Sequence, residues 1–280
     1  ISSAASDVYK RQVVQADLSE AVYTDTTWFA DCEIIFPETT DRSLISMINK
    51  IVLTPERIFL FDIQDKKILL FTRRGKFITD ILPHGRGPGE WLGITDFTVD
   101  ETDREIIATA DRPYKFLYYD YNGNFLREKT SEAFYTEITR TTDNILAINS
   151  KVLEPKHYLS LLNEEDHRIT VAKKIPLAFT YRGEFRCRGS YLLKSEHLYF
   201  TQNGDYTIYS WDNNRIKPVV TVDFGKYSYN PTQLNEEPHA PATRNKVLSI
   251  INVKEIRSNL FFNLSLIHIS EPTRLGMLSY

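Results

Sequence analysis

A chain of 280 residues that is 42% hydrophobic carries enough apolar material for a sizeable core, and its 16 Tyr and 16 Phe favour strands. A formal charge of -3 leaves no basic footprint for nucleic acid or an anionic membrane surface, and neither end holds an apolar run long enough to span a bilayer. Two cysteines, Cys32 and Cys187, are too few for a disulfide framework or a cysteine-based metal site.

The two ends read as foreign. Residues 2–12, S-S-A-A-S-D-V-Y-K-R-Q, are the in-frame translation of a transposase adapter used in sequencing libraries. Residues 264–274, L-S-L-I-H-I-S-E-P-T-R, translate the adapter from the opposite end. Segments 1–12 and 264–280 are therefore expected to be adapter-derived, and 13–263 to be the natural portion, a partial domain cut at both ends. No functional role is expected of His268 or Glu271.

Within that portion, 13–29 has weak periodicity, and C-E-I-I-F at 32–36 predicts a single strand that closes a blade. A first blade is expected over 44–82, with strands at 44–53, 58–62, 68–72 and 76–82. P-H-G-R-G-P-G at 83–89 is a glycine-rich crossing into a second blade over 93–130, with strands at 93–100, 105–111, 115–121 and 124–130. The third blade, 134–176, is less regular. A fourth is expected over 186–225, then a polar, proline-bearing connection at 226–245 and a partial fifth blade at 247–263.

The first two blades say nearly the same thing twice. Shifted by 48 positions, Lys67 falls on Lys115, Leu69 on Leu117, Phe71 on Tyr119, Gly75 on Gly123 and Phe77 on Phe125. Alternating apolar runs joined by short turns at this period are the mark of a β-propeller blade. The fold expected is all-β, a β-propeller, with about four blades and part of a fifth in this chain.

Four motifs carry a resemblance: S-L-I-S-M-I-N-K-I at 43–51, G-R-G-P-G-E-W at 85–91, I-T-D-F-T-V-D at 94–100 and K-F-L-Y-Y-D-Y-N-G-N-F-L at 115–126. Together they resemble the six-bladed β-propeller proteins of Bacteroides-type gut bacteria, relatives of the NHL-repeat propellers. The resemblance spans about 33–224. It implies a cell-envelope location, periplasmic or outer-membrane-anchored, with a signal peptide of lipoprotein type and a lipid anchor on the full-length protein. It carries no catalytic residue across.

No catalytic constellation stands out. The glycine loop is followed by Glu90 and Trp91 where a phosphate cradle needs Lys and Ser or Thr, so it is read as a tight turn in which Arg86 and Glu90 pair. Among five histidines of the natural portion no close ligand pair occurs, and His84 beside the glycine loop is the one to follow. A ligand, glycan or protein partner is expected at the funnel or loops, through Arg86, Glu90, Asp96, Asp111 and Tyr114, without a cofactor. The alternative is a calcium-dependent, lactonase-like hydrolase or lyase, holding Ca²⁺ through Asn49, Asp96, Glu137 and Asn252. Asp62, Asp96, Asp100 and Asp111 also fit turn or cap carboxylates. Tyr118, Tyr119 and Tyr121 fit packing between blades.

Overall fold

The computed structural model describes residues 12–20, 33–82, 85, 90–111, 113–149, 158–176, 189–195, 197–202, 205–212, 215–229, 246–266 and 275–279. The chain forms two compact units, Thr24–Glu184 with Arg188–Ser190, and Ile1–Tyr23 with Phe185–Cys187 and Tyr191–Tyr280. In chain order the strands begin with β1 (Gln12–Gln15), which belongs to the second of these units. The first unit then holds β2 (Ile48–Leu53), β3 (Arg57–Asp62), β4 (Lys67–Thr72) and β5 (Phe77–Ile81) as one antiparallel meander. A second meander is β6 (Ile94–Asp100), β7 (Glu105–Asp111), β8 (Tyr114–Asp120) and β9 (Phe125–Ser131). The third is β10 (Glu137–Arg140), β11 (Ile145–Asn149), β12 (Tyr158–Glu164) and β13 (Arg168–Pro176). The second and third are joined along their outer strands, where β13 pairs in parallel with β9 at Arg168↔Thr130 and Ile169↔Ser131.

Strands β3, β4 and β8 bury both faces, which explains why each reads as a near-continuous apolar run. On β3, Phe59 and Phe61 enter a core with Ile68, Leu70, Trp91, Phe97, Leu117 and Tyr119, while Ile58 and Leu60 enter another with Leu69 and Phe71. The other side of the second meander packs Ile107, Phe116 and Tyr118 against Ile138, Ile145, Ala147 and Leu162 of the third. Successive four-stranded sheets stacked face to face through apolar layers are propeller blades, and the chain is all-β of the β-propeller type.

The 48-residue repeat survives in atomic detail. Gly75 and Gly123 hold φ of 82° and 80°, each donating its N–H to the last residue of the preceding strand, Thr72 at 2.9 Å and Asp120 at 3.0 Å. Phe71 meets Phe77 edge-on at 5.6 Å, and Tyr119 meets Phe125 edge-on at 5.8 Å. Lys67 and Lys115 are both buried and paired, with Asp65 at 3.1 Å and Glu128 at 2.8 Å.

Two expectations need correction. The first blade's inner strand starts at Ile48 rather than 44, because the N–H groups of Ser46 and Met47 bond the Asp62 carboxylate instead of a strand. The strand expected at 32–36 is not formed by residues 33–36, and Cys32 lies outside the described residues. This segment instead crosses the β4–β5 turn: Glu38 N–H bonds Gly75 O at 2.7 Å, and Glu38 Oε2 accepts from Phe77 N–H at 2.8 Å.

The second unit contains β14 (Leu192–Lys194), β15 (Leu198–Gln202), β16 (Asp205–Asp212) and β17 (Arg215–Asp223), with β1 added in parallel outside β17. A further sheet comprises β18 (Val247–Ile256), β19 (Asn259–Leu266) and β20 (Leu275–Ser279). Arg257 and Ser258, with φ of 50° and 64°, make the two-residue turn between β18 and β19. Val220, Val222 and Phe224 pack on Val247, Ile250 and Phe262 to form this unit's core.

A methyl group at Gly75 would meet Phe36 O at 2.5 Å, whereas one at Gly225, φ 51°, would meet nothing within 4 Å. Gly225→Ala therefore costs only the left-handed backbone penalty, about 1 kcal/mol. Gly75→Ala adds a clash with main chain and is expected to cost about 2 kcal/mol or more. Urea unfolding of the two variants checks this order.

Candidate functional site

The inner strands of the first three blades are tied by one buried ion pair. A bulge between Ile48 and Lys50 on β2 is matched by one between Ile94 and Asp96 on β6, so Lys50 and Asp96 occupy the same register position. Lys50 Nζ donates to Asp96 Oδ2 at 2.8 Å and to Ile138 O at 3.0 Å, and Ile138 N–H donates to the same Oδ2 at 2.7 Å. The two side chains are 4% and 3% exposed. The ammonium also lies 5.8 Å from the centroid of the Phe97 ring. Burial pushes the Asp96 carboxyl up, opposed by the Lys50 ammonium and by the N–H groups of Ile138 and Phe97. One lysine and one carboxylate thereby join β2, β6 and β10.

A second polar layer ties β6 to the third blade. Arg140 N–H donates to Thr98 Oγ1 at 3.0 Å, and Arg140 Nε to Asp100 Oδ2 at 2.7 Å. The same guanidinium bonds Glu164, which also accepts from the Tyr118 hydroxyl and has Lys129 Nζ at 3.6 Å. Arg127 lies over the Tyr118 ring at 4.1 Å and forks onto Glu105 through bonds of 2.6 and 2.7 Å. Burial raises the Glu164 carboxyl, yet Tyr118, Arg140 and Lys129 together hold it below its ordinary value. Desolvation, with Glu164 alongside, drives the Tyr118 phenol strongly upward.

Of the residues expected from sequence, Asp96 belongs to the buried pair, and its carboxylate already holds a cation, the Lys50 ammonium. Glu90, Asp111 and Tyr114 share one end of their blades. In an up-and-down meander the turns after the second strand and the crossings between blades fall on the same end. Asp111 and Tyr114 face each other where β7 meets β8, and Asp111 N–H donates to Gly93 O at 3.2 Å. A Cβ at Gly93 would sit 3.1 Å from Asp111 Oδ1 and 3.2 Å from Lys66 Nζ, so the β3–β4 turn brings a lysine to this place. Glu90 curls onto Gly85, where a Cβ would meet its Oε2 at 2.5 Å. Tyr114 pairs with Phe134 at 6.1 Å. Arg86 and His84 lie outside the described residues, and so does the expected Arg86–Glu90 pairing.

The four residues of the expected calcium set do not share a register. Asn49 lies one position before Lys50, within the bulge, and Glu137 one position before Ile138, so both alternate away from the Asp96 position. Asn252 belongs to the second unit, holds φ 55° at a bulge of β18 and reaches Asn263 Oδ1 at 3.4 Å. Among the described residues no three His, Cys, Asp or Glu side chains are grouped to hold a metal.

Asp62 and Asp100 are the turn caps expected. Buried Asp62 accepts N–H bonds from Ser46, Met47, Gln64 and Asp65 at 2.6 to 3.2 Å, and Asp100 accepts from Thr102 and Asp103. Trp91, from the glycine-rich motif, is buried and donates its indole N–H to Tyr119 Oη at 3.0 Å, anchoring the crossing. In the second unit, Glu255 plays a comparable tying role: its N–H donates to Ser195 Oγ at 3.0 Å, and its carboxylate meets Tyr199 at 3.0 Å and His197 at 2.5 Å. Lys50, Lys66, Arg140 and Glu164 escaped the sequence reading. Only an inward lysine on an otherwise apolar strand marked Lys50 in advance.

Residues 13–277 match the family model described as "Domain of unknown function (DUF4934)". No curated protein matches the chain. Among solved structures, a Bacteroides fragilis protein assigned as exported aligns with a TM-score of 0.72 at 15% identity, over 95% of this chain and 77% of its own. A Bacteroides vulgatus member of another family, DUF4221, aligns with a TM-score of 0.57 at 9% identity, over 86% of this chain and 80% of its own. At such identities the likeness is one of fold. Among the described residues no helix is long and apolar enough to cross a membrane.

Removing one member of the Lys50–Asp96 pair strands a buried charge, so Lys50→Met and Asp96→Asn are each expected to cost about 3–5 kcal/mol. Lys50→Met with Asp96→Asn should cost clearly less than the sum of the single losses in a double-mutant cycle followed by urea unfolding. Glu164 titrates lower in the folded chain than its ordinary value of 4.5, so the stability it supplies is present above that pH and drains away as pH falls below it. Glu164→Gln should flatten that acid-side loss in a pH series of unfolding midpoints.

Proposed function

Because the chain belongs to the DUF4934 family over nearly its whole length, we propose that it is a non-enzymatic binding propeller of the Bacteroides cell envelope. Its ligand, a small molecule, glycan or protein partner, is taken at the end of the blades that carries Lys66, Glu90, Asp111 and Tyr114. The observation that carries this reading is the distribution of polar chemistry. The carboxylates on and beside the inner strands of the first three blades, Asp96, Asp100 and Glu164, are committed to Lys50, Arg140, Tyr118 and main-chain N–H groups. Side chains of both charge signs and an aromatic pair also gather around Gly93 and the β7–β8 hairpin, where loops carry side chains on a rigid scaffold.

The envelope location draws support from the fold shared with the exported B. fragilis protein. In the same proposal the complete protein is a six-bladed, NHL-like propeller with a signal peptide and a lipid anchor, and the sequences at 1–12 and 264–280 derive from library adapters.

A glycan array and an envelope-extract pull-down with the purified protein test the binding role. Wild-type protein is expected to retain a specific ligand, and Asp111→Ala and Tyr114→Ala are each expected to weaken it about tenfold, a loss of about 1.4 kcal/mol, with unchanged unfolding midpoints. Retention of the same ligand at full strength by both variants would move the site elsewhere on the chain. No specific ligand in either format would count against the binding role itself.

A further inference from the structure

The formal charge of -3 conceals a local excess of the opposite sign. Register places Arg57 opposite Thr72 where β3 meets β4, and the turn that follows carries Arg73, Arg74 and Lys76 into β5. Arg74 and Lys76 are exposed, and Arg57 and Arg73 are half-buried. Among the described residues no carboxylate pairs with any of these four cations. Of the carboxylates beside them, Glu56 is paired with Arg104 and Glu38 accepts from Phe77 N–H. The blade repeat supplies an internal control. Shifted by 48, the same places hold Glu105, Tyr121, Asn122 and Asn124, around a glycine turn of the same geometry, so the fold does not require cations there.

The segment crossing this turn adds apolar surface to the charge. Phe36 O closes over Gly75, and Glu38 N–H bonds Gly75 O at 2.7 Å, so residues 35–38 lie across the turn that Arg74 and Lys76 flank. Ile35 packs on the blade, whereas its neighbours Ile34 and Phe36 are 72% and 80% exposed.

The geometry points to this end of the first blade as a docking surface for a bilayer with anionic headgroups. Arg57, Arg73, Arg74 and Lys76 meet the phosphates, and Ile34 and Phe36 enter the boundary with the acyl chains. A polar polyanion has no use for the two apolar side chains, and an apolar protein face has none for four cations; a lipid surface uses both. Guanidinium groups also match phosphate oxygens in geometry. Lys66 precedes the opposite end of β4, six residues and roughly 20 Å away, so docking in this way leaves Lys66, Asp111 and Tyr114 directed away from the membrane.

Sedimentation with lipid vesicles tests the inference on the 280-residue chain. The protein is expected to pellet with vesicles of phosphatidylcholine and phosphatidylglycerol in equal parts, and to stay in solution with phosphatidylcholine alone. Raising salt from about 0.1 M to about 1 M, which shortens the screening length from about 10 Å to about 3 Å, should release most of it. Arg73→Gln with Arg74→Gln should weaken partitioning about tenfold or more. Arg168→Gln with Lys173→Gln, the same charge removed from exposed positions of the third blade, should leave it unchanged. Phe36→Ser should also weaken partitioning, with an unchanged unfolding midpoint. Where the arginine pair fails to fold, Arg74→Gln with Lys76→Gln replaces it. Absence of pelleting, equal pelleting with both vesicle types, or an equal loss from the third-blade pair would overturn the inference. So would a fall of about 5 °C in the melting temperature of Phe36→Ser, which assigns the residue a cover within the chain itself. Self-association abolished by the arginine pair, without vesicle binding, assigns the surface to a second copy instead. None of these outcomes depends on a ligand near Gly93, so this inference and the binding role can fail separately.

Discussion

The Lys50–Asp96 pair is the constraint on which the first unit depends. Apolar layers between blades are non-directional; they reward burial without fixing how far one sheet slides over the next. A lysine that must reach both Asp96 and Ile138 O, and a carboxylate that must receive both Lys50 and Ile138 N–H, admit one alignment of β2, β6 and β10. Desolvation of two charges makes such a pair costly, and its net stabilisation is small compared with its penalty for disruption. Its contribution is specificity of register, repeated further out by Thr98, Asp100 and Arg140.

That commitment shapes the functional reading. A carboxylate available to a metal or a reacting substrate has coordination left to offer, and Asp96 offers its Oδ2 to a lysine and an amide already. The second layer behaves alike, with Glu164 shared among a guanidinium, a phenol and an ammonium. The blades are internally cross-braced, and chemistry directed outward lies at the loop end of the strands. There Gly93 allows Lys66 and Asp111 to approach the crossing backbone.

The blade repeat was legible in the sequence because it rests on residues whose demands are local: a glycine at positive φ for the turn, an aromatic pair across it, and a buried lysine beside it. These recur at a constant spacing, and the structure gives them the same geometry twice. The pairing of Asp96 was not legible, because matching bulges on β2 and β6 put Lys50 rather than Asn49 at its register position. On β10 the partner is main chain, the N–H of Ile138, which no side-chain pattern announces. The segment 33–36 misled for a different reason. Its apolar run is real, but Ile35 serves a face of the first blade, and residues 33–36 form no strand.

The parallel pairing of β1 with β17 carries a consequence for biosynthesis. Gln12 aligns with Val220 and Gln15 with Asp223, so the partners lie over two hundred residues apart in the chain. During translation β1 leaves the ribosome long before β17, and its edge exists only after β17 has been made. Until then, Val14, Ala16 and Leu18 lack the apolar layer of Val220 and Val222 that receives them. Closure of so long a loop is late and entropically costly, so this blade is expected to mature after the local hairpins and to govern how long nascent chains remain vulnerable.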